Sequence, residues 1–264
     1  YEIGSGLVGS EMCIRDSSNI SLPDVVFGCD ITADNSTTYM SFFSQMDAYG
    51  DGYAGIGVWR AAFKPLVDRI ADTDIRLQWF CCDRSTGVTD DSGNRTTLIR
   101  DTQSPVAVEY QAVKFIGTGR DNIKAGVFSG WELGDYIYLR SEEAYMIKME
   151  ALAHKGSAEA VTELNSFMKT RQPDYNYTFT NKADLIEEII YQKRVEFWGE
   201  GLEYIDNRRL NIPVDRTDET WGAENNNHFS AGKFRYNQED RPFLYQLPLS
   251  EIENNSQLSP SDQN

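Results

Sequence analysis

The stretch from Glu187 to Leu210, EEIIYQKRVEFWGEGLEYIDNRRL, most constrains how this chain can fold. Apolar side chains recur every three or four residues from Leu185 to Trp198, which is typical of the buried face of an α-helix. Asn181 precedes this run as a candidate N-cap. Gly199 and Gly201 then interrupt the periodicity, because glycine lets the backbone turn. The pattern therefore predicts a long helix, a turn, and a second, shorter helix ending at Leu210.

Acidic and basic side chains are concentrated in this stretch. Glu196 and Glu200 lie four residues apart, so we expect them on one helix face. A glycoside hydrolase that uses them as acid and base is one alternative. Hydrolase carboxylates face each other across a cleft, however, whereas neighbours on one helix usually form local ion pairs. We therefore favour a structural clamp in which ion pairs tie helix to helix. Its expected cations are Arg194, Arg208 and Arg209, and its acidic members are Glu196, Glu200 and Asp206.

Three motifs in order along the chain resemble those of one known family. The run from Arg194 to Leu210 resembles E-[FL]-x-x-E-G-x-R-x-x-D-[LI]-x-R, with Glu203 where arginine is common. The segment from Tyr138 to Leu152 resembles Y-L-R-x-x-E-x-Y-x-x-x-x-E-A-L and makes Arg140 a further structural residue. The segment from Tyr245 to Ile252 resembles Y-x-[IL]-P-x-x-E-I. Together they resemble the SusD/RagB family, the surface nutrient-binding lipoproteins of Bacteroidetes-type bacteria.

The resemblance implies a mostly α, SusD-like fold with tetratricopeptide-type helical hairpins, long irregular loops and a few short strands. It implies a starch-binding-like protein of polysaccharide utilisation, exposed on the outer membrane, that binds glycans or related nutrients without catalysis. The implied partner is a SusC-like TonB-dependent transporter, to which the ligand is handed over, and no cofactor is implied. A purely structural helical-repeat scaffold for protein interaction remains an alternative.

Family members are commonly about twice this length, so the chain resembles a C-terminal portion. Residues 1–17, YEIGSGLVGSEMCIRDS, resemble translated sequencing-adapter read-through and are interpreted as a non-native artefact. We expect residues 18–264 to form a partial family domain, with a loop-rich ligand-binding part over 22–130 and a helical part over 131–264. The resemblance places the signal peptide and the lipid-accepting cysteine before this chain, and Cys13 lacks the apolar segment that a lipid site needs.

Local patterns predict further elements. Helices are expected from Asp135 to Lys155 and from an N-cap at Ser157 to Arg171. Val25 to Gly28 resembles a short strand of the family, and Asp74 and Arg76 are interpreted as structural anchors.

Ligand recognition should depend on loop aromatics. A sugar ring offers an apolar face and a rim of hydroxyls, so its site needs exposed aromatic rings beside polar side chains. One loop segment combines such residues with several glycines, and a second loop aromatic lies near the end of the chain. The candidate ligand-binding residues are Tyr39, Tyr49, Asp51, Tyr53 and Trp221.

Composition excludes several functions. The net charge of -16 and the pI near 4.5 argue against nucleic acid and anionic membranes as partners. The four cysteines and two histidines show no zinc-like spacing. Acidic clusters such as Asp30, Asp34 and Asn35 are better interpreted as solvated turns than as calcium sites, so no metal is predicted.

Overall fold

The computed structural model describes residues 19–35, 39–47, 52–56, 58, 60–81, 88–89, 95–96, 110–115, 117, 133–240 and 244–262. The described part is mostly helical, with short two-stranded sheets, as predicted. The chain divides between Glu196 and Phe197 into two compact units. The predicted boundary between a loop-rich part over 22–130 and a helical part over 131–264 differs from this division of the chain and stays a prediction.

The first unit contains six described α-helices and six described strands. The helices are α1 (Phe42–Met46), α2 (Tyr53–Ile56), α3 (Lys64–Asp68), α4 (Ser141–His154), α5 (Glu159–Met168) and α6 (Lys182–Glu196), and Ile75–Trp79 forms a 3-10 helix. The strands are β1 (Val25–Cys29), β2 (Phe80–Cys81), β3 (Val88–Thr89), β4 (Arg95–Thr96), β5 (Gln111–Ala112) and β6 (Tyr136–Arg140). They form the antiparallel pairs β1–β6, β2–β5 and β3–β4.

The second unit has shorter elements in its described part. They are α7 (Leu202–Leu210), α8 (Asp218–Trp221), α9 (Leu249–Asn254), β7 (Val214–Asp215) and β8 (Arg235–Tyr236). Strands β7 and β8 pair antiparallel, and 3-10 turns cover Ser230–Gly232 and Pro260–Asp262.

Strand β6 corrects one prediction. The expected helix from Asp135 begins only at Ser141, because Tyr136–Arg140 is extended and pairs antiparallel with β1. The sequence YIYLR is rich in aromatic and β-branched residues, which suit a strand with a partner. Gly28 in β1 permits the close approach, since a Cβ there would lie 2.7 Å from the Tyr136 carbonyl oxygen. The strand predicted at Val25–Gly28 is confirmed.

Helices α4, α5 and α6 form the core of the first unit, with α4 packed against both of the others. The buried apolar side chains include Met146, Met149 and Ala153 of α4, Leu164, Phe167 and Met168 of α5, and Leu185, Ile189 and Val195 of α6. This packing of successive helices agrees with the predicted helical hairpins. Burying such apolar area is the main favourable contribution to folding.

The predicted starts of α5 and α6 are close to the observed ones. Asn181 precedes α6, and its side-chain oxygen accepts a hydrogen bond from the Asp184 backbone N–H at 3.0 Å, which confirms the N-cap. Helix α5 begins at Glu159 with Ala158 in the cap position, one residue after the predicted cap. The Ser157 hydroxyl still accepts a hydrogen bond from the Glu159 N–H at 3.2 Å. Helix α5 ends at Met168, three residues earlier than predicted.

The end of α6 overturns the expectation that Glu196 and Glu200 share a helix face. Helix α6 ends at Glu196, and Gly199 and Gly201 have φ angles of 79° and 85°. These left-handed conformations are easily adopted by glycine and break the helical repeat. Glu200 therefore lies in the turn. The second, shorter helix is confirmed as α7.

Candidate functional site

Glu196 lies at the centre of a buried ionic cluster, defined here as Asp74, Arg76, Arg140, Glu142, Arg171 and Glu196. Its Oε1 lies 2.9 Å from Arg171 Nη2 and 3.1 Å from Arg140 Nη1. Its Oε2 lies 3.2 Å from Arg76 Nη1. One carboxylate is thus shared by three guanidinium groups, and its side chain is only 2% exposed.

The cluster fixes the charge state of Glu196. Burial alone would raise the pKa of its carboxyl, but the positive charges of Arg171, Arg140 and Arg76 outweigh that effect and hold the pKa well below its usual range. Such a carboxylate stays ionised, is shielded from solvent and has no proton to donate. It is therefore unsuited to general acid chemistry.

Several elements supply the arginines. Asp74 caps the 3-10 helix by accepting from the Arg76 N–H at 2.9 Å, and its Oδ2 lies 2.7 Å from Arg76 Nη2. Arg140 is the last residue of β6, and Arg171 follows α5. Asp74 and Arg76 are thus buried anchors, as predicted. Glu196 thus pairs with arginines that are distant in the sequence, whereas the expected pairing of Glu196 and Glu200 with Arg194, Arg208 and Arg209 stays a prediction.

Sequence reasoning missed Arg171 and Glu142. Arg171 was noted only as a helix end, and its pairing with Glu196 joins residues that no helical repeat brings together. Glu142 lies in the first turn of α4, fully buried, 3.4 Å from both Arg140 Nη1 and Arg171 Nη2. Burial raises the pKa of the Glu142 carboxyl, against the opposing effect of Arg140. The only sequence signal for Glu142 was its position as an acidic residue two places after Arg140 of the Y-L-R motif.

The remaining motif residues form separate contacts. In α7, Arg209 Nε lies 2.7 Å from Asp206 Oδ1. Arg208 donates through Nη1 to the Gln238 carbonyl oxygen, also within the second unit. Glu200 is half-buried in the turn after α6. The predicted clamp that ties helix to helix stays a prediction.

Two of the predicted ligand-binding residues lie side by side. The rings of Tyr39 and Tyr53, called here the tyrosine pair, have centroids 5.4 Å apart and planes inclined at 47°. Tyr53 is 39% exposed. Tyr39 has a φ of 61°, a left-handed conformation that is uncommon for a residue with a side chain.

Polar contacts hold the tyrosine pair in position. The Tyr53 N–H donates to the Ser44 hydroxyl at 3.3 Å, and Gln45 Nε2 donates to the Tyr39 carbonyl oxygen at 3.1 Å. Arg60 Nη2 in turn donates to Gln45 Oε1 at 2.8 Å. These bonds connect the Gln45 amide and the Arg60 guanidinium to the backbone of Tyr39. Hydrogen-bonding groups of this kind can recognise sugar hydroxyls.

The other candidates are not brought to this surface by any described contact. Tyr49 and Asp51 lie outside the described residues. Trp221 belongs to the second unit, where it ends α8, is 37% exposed and donates from Nε1 to the Asp215 carbonyl oxygen at 2.9 Å. Its role as a ligand-binding residue stays a prediction.

No group of three or more His, Cys, Asp or Glu side chains among the described residues is arranged to hold a metal ion. Asn35 of the acidic turn instead donates to the Asp30 carbonyl oxygen at 2.9 Å. No helix in the described part combines the length and apolarity needed to cross a membrane.

Comparisons with known proteins agree on one family. A sequence model of the SusD family matches residues 72–264. A SusD-like carbohydrate-binding protein from Bacteroides vulgatus has a similar structure, with a TM-score of 0.64 and 21% identity, over 91% of this chain and 49% of that one. A SusD superfamily protein from the same organism has a TM-score of 0.59 and 15% identity, over 88% of this chain and 44% of that one. A SusD-like protein from Bacteroides fragilis has a TM-score of 0.51 and 18% identity, over 92% of this chain and 54% of that one.

The chain spans about half the length of these solved structures. At such low identity the structural likeness shows the fold. No curated protein sequence matches significantly. The family model, however, covers well over half of the chain, including the buried ionic cluster from Asp74 to Glu196. The chain therefore belongs to the SusD family.

Proposed function

We propose that the protein binds glycans or chemically related nutrients at the cell surface without catalysis, and hands them to a SusC-like TonB-dependent transporter in the outer membrane. The tyrosine pair carries the binding part of this proposal. It is the place where two of the predicted loop aromatics meet, and one of its rings is well exposed. Membership of the SusD family supports the same function.

The geometry of the tyrosine pair suits a saccharide. The apolar C–H face of a sugar packs against aromatic rings, while hydroxyls at its edge need polar partners. Two rings inclined at 47° offer an angled surface to a bent or branched chain. The unusual backbone of Tyr39 supports a binding role, because strained conformations often occur at functional sites. A solved relative in fold is described as a SusD-like carbohydrate-binding protein.

The ionic cluster supports binding over hydrolysis. A hydrolase needs one carboxyl that can donate a proton and a second across a cleft. Glu196 is buried among three guanidinium groups that hold the pKa of its carboxyl well below the usual range, and Glu200 lies beyond the end of its helix. The two carboxylates first considered as a catalytic pair do not have the required arrangement.

Affinity electrophoresis tests the proposal directly. The purified protein is run in native gels containing amylopectin, inulin, xylan or pectin, and reducing-end release is assayed in parallel. We expect slower migration in one class of glycan, with no release. Tyr53→Ala should weaken that retention by at least about fivefold, since it removes half of the aromatic surface.

Phe229→Ala is the matched control. Phe229 is a 74% exposed aromatic in the second unit, so its loss should leave retention unchanged. Retention that survives Tyr53→Ala would remove the tyrosine pair as the site. Release of reducing ends by the wild type would contradict a non-catalytic role. Absence of retention on every glycan would favour a scaffold. Co-purification with the transporter, with and without glycan, tests the handover.

A further inference from the structure

Two polar side chains behind the tyrosine pair form a short chain of hydrogen bonds. They are Gln45, in α1, and Arg60, in the segment that follows α2. Arg60 Nη2 donates to Gln45 Oε1, and Gln45 Nε2 in turn donates to the carbonyl oxygen of Tyr39. We refer to these two successive hydrogen bonds as the Gln45 relay. It ends on the backbone of one member of the tyrosine pair.

The Arg60 end of the relay starts from a backbone that a strand holds. The Arg60 carbonyl oxygen accepts a hydrogen bond from the Ala112 N–H of β5 at 2.7 Å. The next residue, Ala61, forms an isolated antiparallel bridge with Gln111 of the same strand. The relay therefore connects the tyrosine pair to a strand that lies far from it in the sequence.

The chemistry of the groups fixes the orientation of the Gln45 amide. A guanidinium group only donates hydrogen bonds and a carbonyl oxygen only accepts them, whereas a primary amide does both. The amide oxygen must therefore face Arg60, and the amide nitrogen must face the Tyr39 carbonyl. A carboxylate at position 45 would still satisfy Arg60, but it would have no N–H for Tyr39.

The backbone of Tyr39 depends on such a partner. Its φ of 61° is a left-handed conformation, which costs free energy for a residue with a Cβ atom. This strain and the net contribution of one hydrogen bond are similar in size. Loss of the bond from Gln45 would therefore let Tyr39 return to a commoner conformation. Its ring would then leave its position beside Tyr53, because the backbone angles set the direction of the side chain.

Tyr53 is held independently of the relay. Its N–H donates to the hydroxyl of Ser44, a fully buried residue of α1. The neighbouring Gly52 packs closely on the same residue, since a Cβ there would lie 2.5 Å from the Ser44 Cα. One ring of the tyrosine pair is thus fixed to α1 through Ser44, and the position of the other depends on the relay.

We propose that Gln45 and Arg60 are positioning residues of the tyrosine pair. Arg60 orients the Gln45 amide, and the amide holds Tyr39 so that its ring lies beside Tyr53 before a glycan arrives. The two side chains act through Tyr39 and make no contact with the glycan. Their effect on glycan binding rests on the function proposed above. Rings that are already in place lose less conformational freedom on binding, which favours affinity.

NMR of the ligand-free protein tests the positioning role without any glycan. A nuclear Overhauser effect between the ring protons of Tyr39 and Tyr53 reports their proximity. We expect this effect in the wild type and its loss in Gln45→Glu, which keeps the acceptor for Arg60 and lacks the N–H for Tyr39. Gln257→Glu makes the same change at an exposed position of the second unit. It is the matched control and should keep the effect.

Affinity electrophoresis measures the consequence for binding. Gln45→Glu should weaken glycan retention roughly 2- to 10-fold, which corresponds to one lost hydrogen bond. In the Tyr39→Ala background the same change should have no further effect, because Gln45 acts through Tyr39. Arg60→Met should also weaken retention, whereas Arg60→Lys keeps a donor and should restore most of it. Gln257→Glu corrects for the effect of a lost unit of positive charge on migration.

These measurements can overturn the proposal in several ways. Absence of the nuclear Overhauser effect from the wild type, or its presence in Gln45→Glu together with a lower melting temperature, would leave the relay a merely structural role. An equal loss of retention with and without Tyr39 would show that Gln45 contacts the glycan directly. Loss of the effect with unchanged retention would show that the ring geometry does not matter for binding.

The two arms also separate this proposal from the proposed function. If the wild type is retained on no glycan, the proposed function fails. Loss of the nuclear Overhauser effect in Gln45→Glu would then still support the positioning of Tyr39 by the relay.

Discussion

Replacing Glu196 with glutamine should strongly destabilise the first unit. The carboxylate accepts from Arg171, Arg140 and Arg76 at 2.9, 3.1 and 3.2 Å inside a fully buried cluster. Glutamine keeps the shape and one acceptor oxygen, but its amide nitrogen would face guanidinium donors. Removing one partner of a buried ionic group costs about 3–5 kcal/mol, because the remaining charges stay buried and uncompensated. This corresponds to a Tm lower by about 6–20 °C for a protein of this size.

Urea unfolding followed by circular dichroism and tryptophan fluorescence measures this loss. Glu187→Gln is the matched control, since it makes the same change on the same helix at a side chain that is 78% exposed. It should alter the free energy of unfolding by less than about 0.5 kcal/mol. A Glu196→Gln variant within about 1 kcal/mol of the wild type, with an unchanged m-value, would refute the stabilising role assigned to the cluster.

Three further substitutions test separate features of the fold. Asn181→Ala should cost about 1 kcal/mol by removing the N-cap of α6, whereas serine at that position should retain most of the stability in urea unfolding. Gly28→Ala should destabilise by about 1–3 kcal/mol, because its Cβ would meet Ile20 and the Tyr136 carbonyl, and equal melting temperatures would show that β1 adjusts. Glu142 has a raised pKa, so its contribution to stability is present below the ordinary carboxyl pKa of about 4.3 and is lost as pH rises through its folded value. Glu142→Gln should therefore become more stable relative to the wild type between pH 4 and pH 7, and a constant difference across this range would contradict the assignment.

Local patterns were sufficient for the helices of the motif region. The boundaries of α7 and the cap at Asn181 follow from periodicity, glycine and capping chemistry, which act over a few residues. The residues before Ser141 were misassigned as helix. Their extended conformation depends on pairing with β1, more than a hundred residues earlier, and no local preference reports such a partner.

The candidate site shows the same distinction. Tyr39 and Tyr53 could be chosen as loop aromatics, but the contact between their rings is a property of the folded chain that no local pattern reports.

The sequence by itself determined the family, the mostly helical character and four of the six ionic residues, Asp74, Arg76, Arg140 and Glu196, since motifs, periodicity and charge are properties of the chain. Only the tertiary structure decided which charges meet. Glu196 pairs with Arg76, Arg140 and Arg171 because a 3-10 helix, a strand end and a helix end converge on the end of α6. Burial there makes each partner necessary, because an ionised group removed from water must be compensated by charges within reach.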